Sequence, residues 1–203
     1  MTRKFVSGLI LAAGSSRRLG QPKQLLPYQG TILLDWVLAQ AEAAQGLDEV
    51  IIVLGRSADE IRPCLRATRA QVLLSPTFTE GCSGSYKTGI GALDARADAV
   101  MVLLGDQPGV DTAIINRVAE DWRTQGGTIA LTSYRGRHGH PMVFAGTLFE
   151  RLLQLQGDKA AWKILDAHPE WVRHVELDCA FPADVDTWQD YDALLRQATA
   201  PGS

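Results

Sequence analysis

Arg17, Arg18 and Lys23 bring three positive charges within seven residues, in a stretch that also holds Gly14, Ser15, Ser16 and Gly20. Glycines let backbone amides approach a bound group, serine hydroxyls add donors, and clustered cations offset negative charge, so this set suits a polyphosphate. A second set is acidic. Asp106 follows Gly105 at the tip of an apolar run, and Asp184 and Asp186 stand two positions apart near the carboxyl end. Carboxylates are hard oxygen ligands, and Mg²⁺ is usually held by one or two of them together with substrate phosphates. A third set, Arg135, Arg137, His138 and His140, puts four basic or titratable side chains within six residues and reads as an acceptor-side loop for an anionic partner.

Each set also has a plainer reading. Arginines are commonly solvated on surface loops, Gly-Asp pairs start turns, Asp186 is placed to cap the helix after it, and a histidine before proline is often bonded to backbone. Two familiar phosphate motifs do not fit. A Walker loop needs four residues between its glycines and Lys-Ser or Lys-Thr directly after, whereas five separate Gly14 from Gly20 and Lys23 lies three further on; Gly-x-Gly-x-x-Gly is missing too.

The elements that must position these groups alternate between strand and helix. The apolar run 5–13 reads as a buried strand that empties into the cationic loop at Gly14. In an open parallel sheet, ligands collect beyond the carboxyl ends of the strands. Helix is expected over 33–44, strand over 49–54, a short helix from Ser57 to about Arg66 that Pro63 must shorten or bend, and strand over 71–74. A helix then opens in the small polar segment 80–89, with Ser83 as candidate cap. The most apolar strand, 99–104, belongs at the sheet centre and delivers Asp106 to the same end as the first loop. Further helices are expected up to Gln125, over 146–154, from Gly157 to about His168 and over 188–199, with strands over 128–132 and 172–177. In extended chain, Asp184 and Asp186 point to one side.

With 203 residues and 46% hydrophobic content, the chain has the size of one α/β domain, here 1–199 followed by a disordered tail at 200–203. A net charge of -3 and a pI near 5.8 argue against a general nucleic-acid binder while leaving room for a local basic pocket. No leader-like or membrane-length apolar segment is evident, and Cys64, Cys82 and Cys179 lack metal-site spacing. A reduced, cytoplasmic protein without structural zinc, nucleic-acid partner or membrane contact is expected.

The sequence Leu11-Ala12-Ala13-Gly14-Ser15-Ser16-Arg17-Arg18-Leu19-Gly20, followed by Lys23 and Leu25-Leu26-Pro27, resembles the signature loop of the MobA-like nucleotidyltransferases, most closely the molybdenum cofactor cytidylyltransferases. The resemblance implies a three-layer α/β sandwich with a mostly parallel, Rossmann-like twisted sheet of the nucleotide-diphospho-sugar transferase type. It implies transfer of CMP from CTP to a phosphorylated acceptor, in the first place molybdopterin, with release of pyrophosphate. By the same resemblance, Leu11, Ala12, Ala13, Gly14, Ser15, Ser16, Arg18 and Gly20 bind the nucleotide, and Ser83 and Ser85 its base and ribose. Arg17, Lys23 and Asp106 are catalytic, Asp106 and Asp186 hold Mg²⁺, and Gly139, His140, Pro141, Asp158 and Lys159 bind the acceptor. Alanine at position 13, where guanine-using members carry glycine, implies CTP over GTP.

The chain departs from the family pattern where Tyr86 and Lys87 replace an aliphatic residue and an arginine, and where Ala160 and Trp162 replace a glycine and an arginine. Other functions on this scaffold are transfer to another small phosphate, a nicotinamide-dependent reductase, and a non-catalytic factor delivering molybdopterin to a molybdenum hydroxylase.

Overall fold

The computed structural model describes residues 3–66, 69–76, 82–157 and 161–199. Strand β1, Val6–Ala12, is buried at every position. Its even-numbered Val6, Ile10 and Ala12 join one core while Leu9 and Leu11 join another, which is why the run reads as continuously apolar rather than alternating. Beyond the cationic loop, a small hairpin of β2 (Pro27–Tyr28) and β3 (Thr31–Ile32) leads into helix α1, Leu33–Ala43. Then follow β4 (Glu49–Leu54), α2 (Ala58–Ile61), β5 (Gln71–Leu74), α3 (Cys82–Ile90) and β6 (Ala99–Leu104). The second half continues with α4 (Thr112–Gln125), β7 (Ile129–Tyr134), β8 (Arg137–Ala145), α5 (Phe149–Leu153), α6 (Trp162–Ala167), β9 (Val172–Leu177) and α7 (Trp188–Thr199).

Among the described residues, seven strands form one sheet in the order β5-β4-β1-β6-β8-β7-β9, with only β8 antiparallel to its neighbours. Helices α1 and α4 pack on one face through Leu34, Val37, Leu38, Ile115, Val118 and Trp122. The other face is covered by α3, α5 and α6 through Tyr86, Ile90, Leu152, Ile164 and Leu165. This is the expected three-layer α/β sandwich, with β6 at its centre. Among the described residues, no helix is long and apolar enough to cross a membrane.

Several local expectations are revised. Pro63 ends α2 at Ile61 and leaves one 3-10 turn over Arg62–Cys64, because proline has no amide to continue the ladder. The 146–154 helix begins as a 3-10 turn at Gly146–Leu148. Ser83 lies inside α3 rather than capping it. The supposed loop 134–141 is a β-hairpin. Arg135 and Gly136 both take positive φ, 51° and 84°, the backbone that a two-residue hairpin turn between right-twisted strands requires.

Topology places the site. Parallel pairing brings the carboxyl ends of β1, β4 and β6 side by side, and both neighbours of β1 leave the sheet on glycine. A Cβ on Gly55 would lie 2.6 Å from the Ala13 carbonyl oxygen and 2.9 Å from its Cα, and one on Gly105 would lie 2.9 Å from the Ala12 Cβ. These glycines let the loop leave β1 tightly flanked on both sides. Strand β8 runs the other way, with Val102 opposite Met142, so residues before Met142 lie beside the carboxyl end of β6. Helix α3 links two parallel strands and runs back along the sheet, which puts its amino end at that same end.

The contact behind the loop is with rigid backbone. Gly55→Ala is therefore expected to destabilise the protein by about 1–3 kcal/mol, the usual cost of overpacking. Chemical denaturation checks this: an unchanged midpoint would mean the β1 exit has slack to yield.

Candidate active site

The cationic loop is held from beneath by a side chain that sequence reasoning passed over. Gln24, 3% exposed, donates its Nε2 to the Ala12 carbonyl at 2.9 Å and to the Gly14 carbonyl at 3.2 Å, pinning the loop onto the end of β1. Ser16, at positive φ, accepts a 3.0 Å hydrogen bond at its Oγ from the Lys23 amide, so the loop closes on itself across seven residues. Its apolar member, Leu19, buries into a small third core with Leu26, Tyr28, Leu33, Val185 and Tyr191. Leu11, Ala12 and Ala13 line the exit of β1, while Gly14, Ser15, Arg17, Arg18 and Gly20 lie on the exposed rim.

Lys23 is the loop's inward-facing cation, 8% exposed. Its Nζ donates to the carboxylate of Asp106 and, at 2.8 Å, to Oδ1 of Asp186. Arg18 donates to Oδ2 of Asp186 at 2.6 Å. Burial works against the Lys23 charge, but Asp106 and Asp186 outweigh it and hold the ammonium above its ordinary range. The hydrogen bond from Lys23 correspondingly holds the Asp186 carboxyl below the usual carboxylate range.

The two acidic segments are tied to one another. The Val185 amide donates to the Asp106 carbonyl at 3.0 Å, and Gln107 Nε2 donates to Asp184 at 2.7 Å. Partial burial, and next the charge of Asp106, raise the Asp184 carboxyl. Asp184 is thus bound to Gln107, whereas Asp186 shares a cation with Asp106. Asp186 does not cap α7. Asp190 accepts from the amides of Asp186 and Thr187, and its own amide donates to the Thr187 hydroxyl, a reciprocal cap that leaves the Asp186 carboxylate free to turn inward.

Among the described residues, no group of three or more His, Cys, Asp or Glu side chains is arranged to hold a metal. Two carboxylates converging on one cation position nonetheless fit a hard divalent ion that takes its remaining ligands from water and substrate phosphate, as Mg²⁺ does. A cage built only of protein ligands, of the kind Ca²⁺ prefers, is not what this donor set offers.

The other expected residues are placed less uniformly. Ser83 and Ser85 are buried at the amino end of α3, and the Ser83 Oγ accepts a 3.1 Å hydrogen bond from the Gly157 amide, joining α3 to the segment before α6. Gly139, His140 and Pro141 lie in β8 beside the carboxyl end of β6. Gly139 is in close contact with Phe181, where a Cβ would meet the ring at 2.7 Å. The four basic or titratable groups of this hairpin do not converge. Arg135 pairs with Asp178 at 2.7 Å, Arg137 lies 3.6 Å over the Phe181 ring, and His138 stacks on His174 at 4.4 Å. The hairpin sends alternate side chains to opposite faces, so the four groups do not form one converging charge cluster.

His140 is buried, its ring edge-on to Trp162 at 6.3 Å and its carbonyl accepting from the Tyr134 hydroxyl at 2.6 Å. Trp162 therefore contributes ring surface where the family pattern has a cation. Asp158 and Lys159, and the departure at Ala160, lie outside the described residues. Lys163 donates to the Gln156 carbonyl at 2.8 Å.

The model of the MobA-like NTP transferase domain matches residues 8–172. Nicotine blue oxidoreductase of Paenarthrobacter nicotinovorans is 32% identical over 93% of each chain. The molybdenum cofactor cytidylyltransferase of Escherichia coli is 24% identical over 72% of this chain and 73% of its own. Among solved structures, Rv0371c of Mycobacterium tuberculosis superposes with a TM-score of 0.87 at 36% identity, covering 96% of this chain and all (100%) of that one. That protein has also been solved in complex with manganese; this form matches with a TM-score of 0.81 at 34% identity, covering 96% of this chain and 100% of its own.

Burial pushes the His140 imidazole down to about 4 from an ordinary 6.5. The folded protein keeps it neutral while the unfolded chain takes up a proton below the ordinary value, so its contribution to stability is complete above that value and lost as pH falls toward 4. The loss is expected to be about 3 kcal/mol. Denaturant titrations at both ends of this window should show a shallower acid loss for His140→Gln than for the unsubstituted protein; parallel losses would exclude the buried neutral imidazole as the cause.

Proposed function

We propose, for a chain that belongs to the MobA-like NTP transferase family, that it transfers CMP from CTP to a small phosphorylated acceptor, molybdopterin in the first place. The observation that carries this reading is the meeting of Lys23, from the loop after β1, with Asp106 at the tip of β6 and Asp186 before α7.

A phosphate oxygen of the acceptor attacks the α-phosphorus of CTP, the bond from that phosphorus to the bridging oxygen breaks, and pyrophosphate leaves with the electron pair. The reactants carry most of the charge, so the protein's work is alignment and neutralisation. Arg17, Arg18 and Lys23, with amides of the Gly14 to Gly20 loop, hold the triphosphate. Asp106 and Asp186 would hold Mg²⁺, which would supply neutralisation of negative charge on the phosphates. The nucleophile is already ionised at neutral pH, so no general base is needed, in keeping with the burial of His140 as a neutral ring. Ser83 and Ser85 at the amino end of α3 serve the base and ribose, and Ala13 narrows the loop by one methyl in favour of a pyrimidine.

On the acceptor side, Gly139, His140 and Pro141 form the wall beside β6, and Asp158 and Lys159 are proposed to bind the acceptor. The product would pass to a molybdenum hydroxylase by transient contact. A second reading has one specific support, the 32% identity to nicotine blue oxidoreductase. On that reading the same cleft holds a heteroaromatic substrate for reduction by a nicotinamide cofactor.

Purified protein with Mg²⁺, CTP and molybdopterin is expected to release pyrophosphate and form a cytidylated pterin, faster with CTP than with GTP. Equal or greater turnover of GTP would overturn the base preference. Consumption of NADPH with a heteroaromatic substrate, without pyrophosphate release, would establish the reductase instead. Asp106→Asn is expected to lower metal-dependent turnover by about 100-fold or more, the scale typical of losing one electrostatic stabiliser; normal turnover would remove Asp106 from the metal.

A further inference from the structure

Both carboxylates of the proposed metal site already pair with a cation of the chain. The Lys23 ammonium bonds to both Asp106 and Asp186, and Arg18 takes the second oxygen of Asp186. The Lys23 nitrogen therefore occupies a position within hydrogen-bonding reach of both carboxylates. A divalent cation brought to that position meets a like charge at contact distance, and one of the two has to move. Lys23 is able to move: its charge rides on a flexible four-carbon stem, and the stem passes the phosphate loop where a Cβ on Gly14 would stand 3.8 Å from the Lys23 Cε. Arg18 is exposed over most of its side chain and is equally free to turn.

We infer that Lys23 and Arg18 are exchangeable counter-ions, which occupy the Asp106 and Asp186 carboxylates until nucleotide phosphates draw them away and so admit the divalent cation only with nucleotide. The same two side chains are those assigned to the triphosphate, so a single displacement both clasps the phosphates and bares the carboxylates. Metal and nucleotide binding are then linked reciprocally through these residues. Direct occupation also prevents the carboxylate pair from collecting a divalent ion with no substrate present. The identity of the anion rests on the functional reading above; the exclusion of metal by Lys23 does not.

Mn²⁺ alone is the probe, titrated by electron paramagnetic resonance into purified protein without nucleotide. Lys23→Met is expected to bind Mn²⁺ at least tenfold more tightly than the unsubstituted protein, Arg18→Met more tightly by a smaller factor, and the gain is expected to vanish when Asp186→Asn is added to Lys23→Met. Unchanged or weaker Mn²⁺ binding by Lys23→Met overturns the inference, as does a gain that survives Asp186→Asn. Should Lys23→Met fail to fold, Arg18→Met carries the test, because its exposed side chain is not needed for packing; unchanged Mn²⁺ affinity there overturns the inference.

The converse is read with metal-free CTP in the presence of a chelator, which should bind Asp186→Asn at least threefold more tightly than the unsubstituted protein. Equal or weaker binding overturns the exchange with nucleotide. A protein that gives the Mn²⁺ result yet releases no pyrophosphate from CTP refutes the functional reading and leaves the metal exclusion standing.

Discussion

A single ammonium group gathers three parts of the chain that are far apart in sequence. Lys23 reaches from the loop after the first strand to Asp106 at the tip of the central strand and to Asp186 just before the last helix. Two negative charges this close repel unless a cation lies between them, and partial burial strengthens both the repulsion and its relief. Much of the surrounding structure keeps that arrangement in place. Gln24 pins the loop, the Val185 amide ties the last acidic segment to Asp106, and Trp36 donates to the Pro108 carbonyl behind the Asp106 turn. Tyr191 anchors α7 on the Pro27 carbonyl, and the small core of Leu19, Leu26, Leu33 and Val185 closes the space beneath.

The sheet supplies the platform by simple means. Parallel strands end together, and glycine at the exits of β4 and β6 lets the loop between them leave without collision. The one reversed strand, β8, brings Gly139 to Pro141 to the same end from the opposite direction. The cationic loop on the β1 side and Gly139 to Pro141 on the β8 side then meet at the Asp106 turn. The β1 side carries the cations and the loop through which the chain resembles its family. On the β8 side, Trp162 lies edge-on to His140 where the family pattern has a cationic residue, and there this chain departs most from that pattern.

Fold and first motif were legible because their signals are local. Continuous apolar runs mark strands buried on two faces, glycine pairs mark helix ends, and a loop dense in glycine, serine and cations has few other uses. The hairpin at Arg135 and Gly136 was also written locally, in a glycine following the tip of a strand, but four basic or titratable neighbours drew attention to charge instead of backbone. Once the chain doubles back, those neighbours face apart.

The sequence by itself determined the order of strands and helices, the cationic loop and the supply of carboxylates, since each depends on neighbours along the chain. Only the tertiary structure decided which carboxylate meets which cation. Asp184 and Asp186 are equivalent by spacing, yet Gln107 binds the first while Thr187 and Asp190 cap the helix and leave the second to Lys23. That choice is made by long-range packing, where separations of several tenths of a nanometre fix electrostatic energies. No pattern of neighbouring residues encodes such distances.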